Sequence, residues 1–115
     1  MSNAKSQQRA AEEIVRTLEA PLLKAIVEPT RLEILKVLLT LGPSDVGAIA
    51  NKLPQDRSVI SRHLRVLTKT GVVREERSPS DGRLRIYALD GVLFVHEFER
   101  ICARMRALAP LCCGA

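Results

Sequence analysis

Residues 56–71 read DRSVISRHLRVLTKTG, a pattern typical of an amphipathic helix with a defined start and a defined end. Asp56 is a residue type that caps helix N-termini, and Gly71 is the type most common just after a helix C-terminus. The apolar residues recur at helical spacing on one face, namely Ile60, Leu64 and Leu67. The other face is basic and carries hydroxyl groups. This stretch therefore predicts a helix that buries one side and presents a positive side to a polyanion.

The segments before residue 56 predict three more helices. Residues 9–20 have apolar residues at helical spacing, and Pro21 marks a bend or a new start. A proline at the first position opens a helix over residues 29–41, which is apolar nearly all round, so we expect it to be central and buried. Ser44 or Asp45 is a suitable cap for the short helix that follows.

The segments after residue 71 predict a hairpin and a last helix. Two β-rich runs, residues 72–77 and 83–89, flank an Asp-Gly dipeptide at 81–82, which is typical of hairpin turns. Apolar residues spaced by three and four over residues 92 to about 108 predict a helix with a coiled-coil-like seam. Pro110 is expected to end the regular structure.

The chain has 115 residues, the usual size of one domain. We expect residues 1–8 to be a frayed N-terminus that includes a remnant of a cloning vector. Residues 9–109 should form the domain, and residues 110–115 a cysteine-containing tail. The sequence has no run of about 18 apolar residues and no signal-peptide pattern, so we expect a cytoplasmic protein with reduced thiols.

The predicted order of elements is that of a winged helix-turn-helix, a mainly α fold with a small β-hairpin. Residues 28–35, EPTRLEIL, resemble the start of the second helix in ArsR/SmtB-type bacterial regulators. Residues 58–67, SVISRHLRVL, with the Gly-Val-Val at 71–73, resemble the recognition helix and wing entry of that family. The resemblance covers roughly residues 22–108. MarR-type regulators share the Asp-Gly-Arg wing sequence at 81–83 but are usually longer, with extra terminal helices, so they are the second candidate.

The resemblance implies a transcriptional regulator, expected to be a repressor, that binds double-stranded DNA. In helix-turn-helix docking, side chains near the start of the recognition helix meet base edges, and arginine can fork onto guanine. Residues 54–85 hold eight basic and four acidic side chains, which fits a polyanion-binding surface. His63 falls between the two faces, where packing or a phosphate contact is favoured over a ligand role. The predicted DNA-binding residues are Arg57, Ser58, Ser61, Arg62, Arg65, Lys69, Arg77, Arg83 and Arg85.

Other function classes fit the sequence less well. Aromatic residues make up 3% of the chain and Trp is absent, which argues against stacking platforms for single-stranded nucleic acid, so no RNA partner is expected. The two histidines lie on different predicted elements, and no Gly-rich phosphate loop is present, so no enzyme is expected. A dimeric interaction module without DNA binding remains as an alternative, but it would leave the basic helix without a role.

The first and last helices carry more apolar surface than one small core needs, which predicts a homodimer through these helices. The family resemblance implies the same arrangement. A two-fold dimer would bind a palindromic operator whose half-sites are about 34 Å apart. The predicted interface residues are Ile14, Leu18, Phe94, Phe98, Ile101 and Met105.

Two metal sites that family members use lack their ligands here. Asp45 and Gly47 stand where one site has cysteines. Asp90 and His96 suit the other site, in the last helix, but the His and Glu expected further along are absent. The sequence therefore argues against both sites.

The cysteines are the remaining candidates for an ion site, and all of them lie in the last 14 residues. A vicinal Cys-Cys pair suits a soft ion better than a relaxed disulfide. Some ArsR-type arsenic sensors carry such a pair after the last helix, which implies As(III) or Sb(III) as an inducer that releases the DNA, with no cofactor required. The tail could fold back on the last helix, or the site could join two subunits. A regulator without a metal site, answering another signal, is the alternative. The candidate ligands are Cys102, Cys112 and Cys113.

Overall fold

The structure, a computed structural model, describes residues 4–113 of the chain. In this range the elements follow in the order α1 (Ala4–Leu18), α2 (Pro21–Ile26), α3 (Pro29–Leu41), α4 (Val46–Ala50), α5 (Arg57–Thr70), β1 (Val73–Arg77), β2 (Arg85–Leu89) and α6 (Gly91–Cys113). The order confirms the predicted winged helix-turn-helix. Within residues 4–113, no helix is both long enough and apolar enough to cross a membrane.

Local capping signals set the bounds of the central helices α3, α4 and α5. Glu28, Asp45 and Asp56 each accept a hydrogen bond from the backbone N–H three residues further on, at 2.9, 2.8 and 3.0 Å. Gly71 ends α5 with φ 83°, a left-handed conformation that favours glycine. A Cβ at Gly71 would lie 2.9 Å from Cδ2 of Leu93, so the position also requires a small residue. The predicted caps at Asp45, Asp56 and Gly71 are confirmed.

The core is built mainly on α3, α5 and the start of the hairpin. Ile34, Ile49, Ile60, Leu64, Leu67, Val72 and Val73 are its fully buried large side chains. The predicted inward face of α5 is thereby confirmed.

Helix α3 is central, as predicted, but only one of its sides is buried, so the expectation that the whole helix is buried is wrong. Its residues Leu32, Leu39 and Leu41 are 48%, 69% and 45% exposed. The neighbours of α3 are α2, α4, α5 and β2, and they cover the side that carries Ile34 and Leu38. A small domain leaves much apolar surface at its exterior, because it has few elements with which to cover it.

The wing is a two-stranded antiparallel hairpin whose register runs from Val73 opposite Leu89 to Arg77 opposite Arg85. Both strands are shorter than predicted. Residues 78–84 form the connection instead, closed by a 2.8 Å hydrogen bond from the Ser78 N–H to the Leu84 carbonyl. Ser44 exchanges two backbone hydrogen bonds with Tyr87, at 3.0 and 2.8 Å, and so joins the wing to the segment that precedes α4.

Helices α1 and α6 pack side by side in opposite directions and extend the molecule to 61 × 26 × 20 Å. Near the middle of this helix pair, Arg104 donates to Glu13 at 2.8 Å and to the Thr17 hydroxyl at 3.4 Å. At its far end, Leu108 and Leu111 of α6 lie next to the first turns of α1.

Two predicted boundaries are wrong because α1 and α6 pack on each other and are both longer than their sequences indicate. Helix α1 begins at Ala4, so residues 4–8 are helical rather than frayed, and α6 runs through Pro110 to Cys113 rather than ending before a loose tail. A proline inside a helix removes one backbone donor and costs about 3 kcal/mol, but helix–helix packing can offset that cost. Residues 1–3 of the predicted frayed N-terminus and residues 114–115 of the predicted tail lie outside the described residues.

Candidate nucleic-acid interface

Helix α5 presents one exposed polar stripe, formed by Ser58, Arg62, Arg65 and Lys69. The spacing of four, three and four residues places these side chains on a single face, opposite the buried Ile60, Leu64 and Leu67. Ser61 is half-buried beside this stripe. The 14 residues of α5 span about 21 Å.

The first turn of α5 is organised around Asp56. The Ser58 hydroxyl donates to Asp56 at 2.7 Å, and the backbone N–H of Val59 donates to the same oxygen. These two hydrogen bonds, together with the charge of Arg62, hold the pKa of Asp56 below its ordinary value. The Ser58 hydroxyl is therefore engaged in the cap, although its side chain is exposed.

Arg57 lies against the first turn of α4. Its guanidinium is so close to Gly47 that a Cβ added there would lie 3.7 Å from Nη2, with the Asp45 carboxylate 3.2 Å from the same point. The Arg57 side chain is exposed. It therefore offers a cation where the two helices of the helix-turn-helix meet.

The wing borders one side of the α5 stripe. Between them lies a polar groove of about 230 Å³, lined by Ser61, Arg65, Thr68, Glu75, Arg85 and Tyr87. Arg85 pairs with Glu75 at 3.1 Å, and Tyr87 stands opposite Glu75 in the hairpin register. Burial and the neighbouring Glu75 carboxylate raise the pKa of Tyr87. Arg85 thus already has an acidic partner, whereas Arg77 and Arg83 are exposed at the end of the wing.

A cluster that the sequence analysis missed borders the other side of α5. The Arg31 guanidinium donates to the carbonyls of Lys24 and Ala25 in α2 and lies 3.2 Å from Nδ1 of His63 in α5. Nδ1 of His63 is also 3.8 Å from the Glu28 carboxylate. Burial raises the pKa of Glu28, but the Arg31 N–H and the charges of His63 and Arg31 lower it further than burial raises it. His63 is therefore held between α5 and the start of α3. Its contact with Arg31 joins residues 32 positions apart, and no local sequence pattern indicates such a contact.

The residues predicted for a dimer interface lie on α1 and α6, which pack on each other within one chain. Phe94 and Phe98 have ring centroids 5.2 Å apart, and together with Ile101 they pack in part on the core. Ile14 and Met105 are half-buried, and Leu18 is 51% exposed. Phe94, Phe98 and Ile101 of the predicted dimer interface therefore pack within one chain, whereas Leu18 remains exposed.

The two cysteines whose side chains the structure describes, Cys102 and Cys112, do not lie together as the predicted folded-back site requires. Cys102 and Cys112 lie on one continuous helix, ten residues and so about 15 Å apart along its axis. Sγ of Cys112 lies 3.8 Å from the Leu108 carbonyl. The side chain of Cys113 lies outside what the structure describes, and the described side chains contain no group of three His, Cys, Asp or Glu residues suited to a metal ion. Asp90, which the sequence analysis considered as a metal ligand, caps α6 by accepting a hydrogen bond from the Leu93 N–H at 3.1 Å.

Comparisons with known proteins agree with this geometry. The family model described as bacterial regulatory protein, arsR family, matches residues 28–75, which include both sequence motifs and all of α5. An uncharacterized HTH-type transcriptional regulator of Methanocaldococcus jannaschii is 40% identical over 58 residues, which is 50% of this chain and 65% of that protein. The chain thus spans slightly less than two-thirds of the length of that relative.

Solved structures extend the similarity to most of the chain. A protein described as a "possible transcriptional regulator for arsenical resistance" is 36% identical, with 81% of this chain and 94% of that one covered and a TM-score of 0.60. An ArsR family transcriptional regulator at 22% identity shares the fold, with a TM-score of 0.62 over 79% of this chain and 94% of that chain. By its matched motifs, its fold and its 36% identity to a solved relative, the chain belongs to the arsR family of bacterial regulatory proteins.

Proposed function

We propose that the chain is a transcriptional repressor that binds double-stranded DNA as a homodimer, with α5 in the major groove. The observation that carries this proposal is the exposed basic stripe of α5, which stands between the wing on one side and α2 on the other. The family consists of transcriptional regulators rather than enzymes, which supports the regulatory role.

The size of α5 matches the groove it would enter. A helix with its side chains is about 10–12 Å across, and the major groove of B-DNA is about 12 Å wide. Arg57 and Arg62, in the first turns, would fork onto guanine, whereas Arg65 and Lys69 would neutralise phosphates. Arg77 and Arg83 at the wing would meet the backbone or a minor groove. Arg85 would have to exchange Glu75 for a phosphate to take the role predicted for it.

The proposed dimer uses the α1–α6 helix pair. Val15 and Leu18 on α1 and Val92 and Val95 on α6 are all more than half exposed. Burying an apolar side chain of this size against a second copy contributes about 1.5–3 kcal/mol when it is fully covered. A two-fold axis at this helix pair would direct the two α5 helices to half-sites one DNA turn apart.

A selection from a library of randomised DNA duplexes tests the proposed function. The expected result is enrichment of an inverted repeat whose half-sites are centred about 10 base pairs apart. The logarithm of the association constant for the enriched duplex should fall linearly with the logarithm of salt concentration, because bound phosphates release counterions. Failure to enrich any duplex over several rounds would contradict DNA binding.

We further propose that a soft ion such as As(III) or Sb(III) regulates this DNA binding through the cysteines. The thiols present suit such an ion chemically. Because Cys102 and Cys112 are about 15 Å apart along α6, they do not fit one site within this chain conformation. A site would need either the last turn of α6, beyond Pro110, to unwind or thiols from two subunits.

Arsenite added to the protein–DNA complex tests this regulation, with release of a labelled duplex as the readout. The paired change Cys112→Ser with Cys113→Ser should abolish release without altering DNA affinity in the absence of arsenite. The single change Cys102→Ser separates a three-thiol site from a site that uses the vicinal pair alone. If wild-type protein keeps its DNA at every arsenite and antimonite concentration, the alternative of a regulator that answers another signal is supported instead.

A further inference from the structure

A second groove borders α5 on the side away from the wing. It has a volume of about 450 Å³ and lies between α2, the start of α3 and the last turns of α5. Its lining residues are Pro21, Lys24, Ala25, Arg31, Val66, Lys69 and Thr70. Three of these side chains are cationic, and although Glu28 offsets part of the charge of Arg31 from outside the groove, Lys24 and Lys69 leave the lining with a net positive charge.

The charge of this groove differs from that of the groove at the wing. At the wing, Glu75 pairs with Arg85 and offsets part of the positive charge there. In the α2–α5 groove the two lysines, Lys24 and Lys69, are exposed. No ion pair within 4.0 Å links either lysine to a carboxylate of the described residues, so both ammonium groups remain available to an outside anion.

Arg31 fixes the distance across the groove. Its guanidinium holds the carbonyls of Lys24 and Ala25 at the end of α2, and it also contacts Nδ1 of His63 on α5. One side chain thereby ties the backbone that carries Lys24 to the helix that carries Lys69. The two lysines therefore stand on elements that are held in register before any ligand arrives.

The position of the groove beside α5 determines which anion it would meet. A helix of 10–12 Å fills a major groove of about 12 Å, so the elements on both sides of α5 must face the sugar-phosphate walls of that groove. We propose that the α2–α5 groove receives the phosphodiester backbone of one DNA strand and that Lys24 and Lys69 clamp it from opposite sides. This inference rests on the proposed function, and it adds helix α2 to the DNA-contacting surface.

The experiment compares Lys24→Gln and Lys69→Gln with Lys5→Gln, which removes the same charge at the far end of α1. Each variant is titrated with the enriched duplex and with an unrelated duplex over a range of salt concentrations. In the proposed dimer each change removes one phosphate contact per subunit, so the two groove variants should each lower the salt slope by about two and weaken binding about thirty-fold at about 0.15 M salt. Because phosphate contacts carry no sequence information, the loss should be similar for both duplexes. Lys5→Gln should leave both quantities unchanged.

A second arm distinguishes DNA phosphate from a free phosphate as the natural occupant. Inorganic phosphate is titrated at constant ionic strength while the NMR signals of the Lys24 and Lys69 side chains are followed. The proposal expects these signals to respond to duplex DNA and not to millimolar phosphate. Saturable binding of inorganic phosphate that Lys24→Gln abolishes would overturn the assignment to DNA.

The outcomes also separate this inference from the proposed function. If the wild-type protein binds DNA but Lys24→Gln keeps its affinity and its salt slope, the inference is wrong and the proposed function stands. If the wild-type protein binds no duplex, both fail. Thermal unfolding of each variant verifies that the fold is retained, which the exposure of both lysines leads us to expect.

Discussion

Single residues define both ends of the helix on which the proposed function depends. Asp56 starts α5 by accepting from Ser58 and Val59, and Gly71 ends it in a conformation that other residues rarely adopt. Both signals are local in the sequence, which is why the bounds of α5 could be predicted from Asp56 and Gly71 alone. The partner of His63 could not be predicted, because Arg31 is 32 residues away and meets it only in the folded chain.

The depressed pKa of Asp56 makes a prediction about stability and pH. A carboxyl whose pKa is lowered by folding stabilises the protein above its ordinary pKa of 3.8, and this contribution is lost as the pH falls through the folded-state value. We therefore expect Asp56→Asn to be less stable than wild type at pH 7 and equally stable once the wild-type carboxyl is protonated. Urea unfolding at a series of pH values measures this difference. A difference that persists unchanged at low pH would contradict the account.

At the scale of elements, local sequence signals determine the bounds of the central helices, whereas packing between α1 and α6 determines the bounds of these two outer helices. Periodicity and caps predict α3 and α5 within a residue or two, and the cap at Asp45 predicts the start of α4. The start of α1 at Ala4 and the continuation of α6 past Pro110 depend on contacts between residues about 90 positions apart, such as Glu13 with Arg104. Local rules at Pro110 favour a helix end, and packing overrides them. The exposed side of α3 was missed for a related reason, since periodicity indicates apolar residues but not how many neighbours will cover them.

We predict that the contacts of Arg31 with α2 and α5 contribute to the free energy of unfolding. Arg31→Ala removes hydrogen bonds to the carbonyls of Lys24 and Ala25 and the contact with His63. We expect the free energy of unfolding to fall by about 2 kcal/mol, the scale of hydrogen bonds made by charged groups. Arg100→Ala is the matched control, because its pair with Glu97 is exposed and should contribute less than about 0.5 kcal/mol. Chemical denaturation measures both variants. If Arg31→Ala and Arg100→Ala lower the free energy of unfolding equally, the contacts of Arg31 do not stabilise the packing of α2, α3 and α5.

At the scale of the whole molecule, the 61 Å length comes from α1 and α6, which extend beyond the core that carries α5. A groove on α1 is lined by Ala11, Val15 and the stems of neighbouring polar side chains, and it is mostly apolar. The proposed dimer covers this surface. Its two-fold symmetry would place one α5 helix on each half-site of an inverted repeat.

The dimer makes a prediction that separates interface residues from other exposed apolar ones. Leu18→Glu places a charge on the proposed interface and should shift the protein from dimer to monomer in sedimentation at micromolar concentration, with a matching loss of operator affinity. Leu39→Glu is the control, because Leu39 is 69% exposed on α3, away from α1 and α6. A monomeric wild-type protein, or the same sedimentation for both variants, would contradict the proposed interface.

The central claim is that α5 reads duplex DNA with its exposed basic stripe, and Arg62 tests it most directly. Binding of wild type and Arg62→Ala to the enriched duplex is measured by fluorescence anisotropy across salt concentrations, with an unrelated duplex in parallel. We predict that Arg62→Ala loses about 1–3 kcal/mol per half-site on the enriched duplex and much less on the unrelated one, because each subunit loses a bidentate contact to guanine. Equal affinity of the two proteins for the enriched duplex, or wild-type binding that does not weaken with salt, would contradict it.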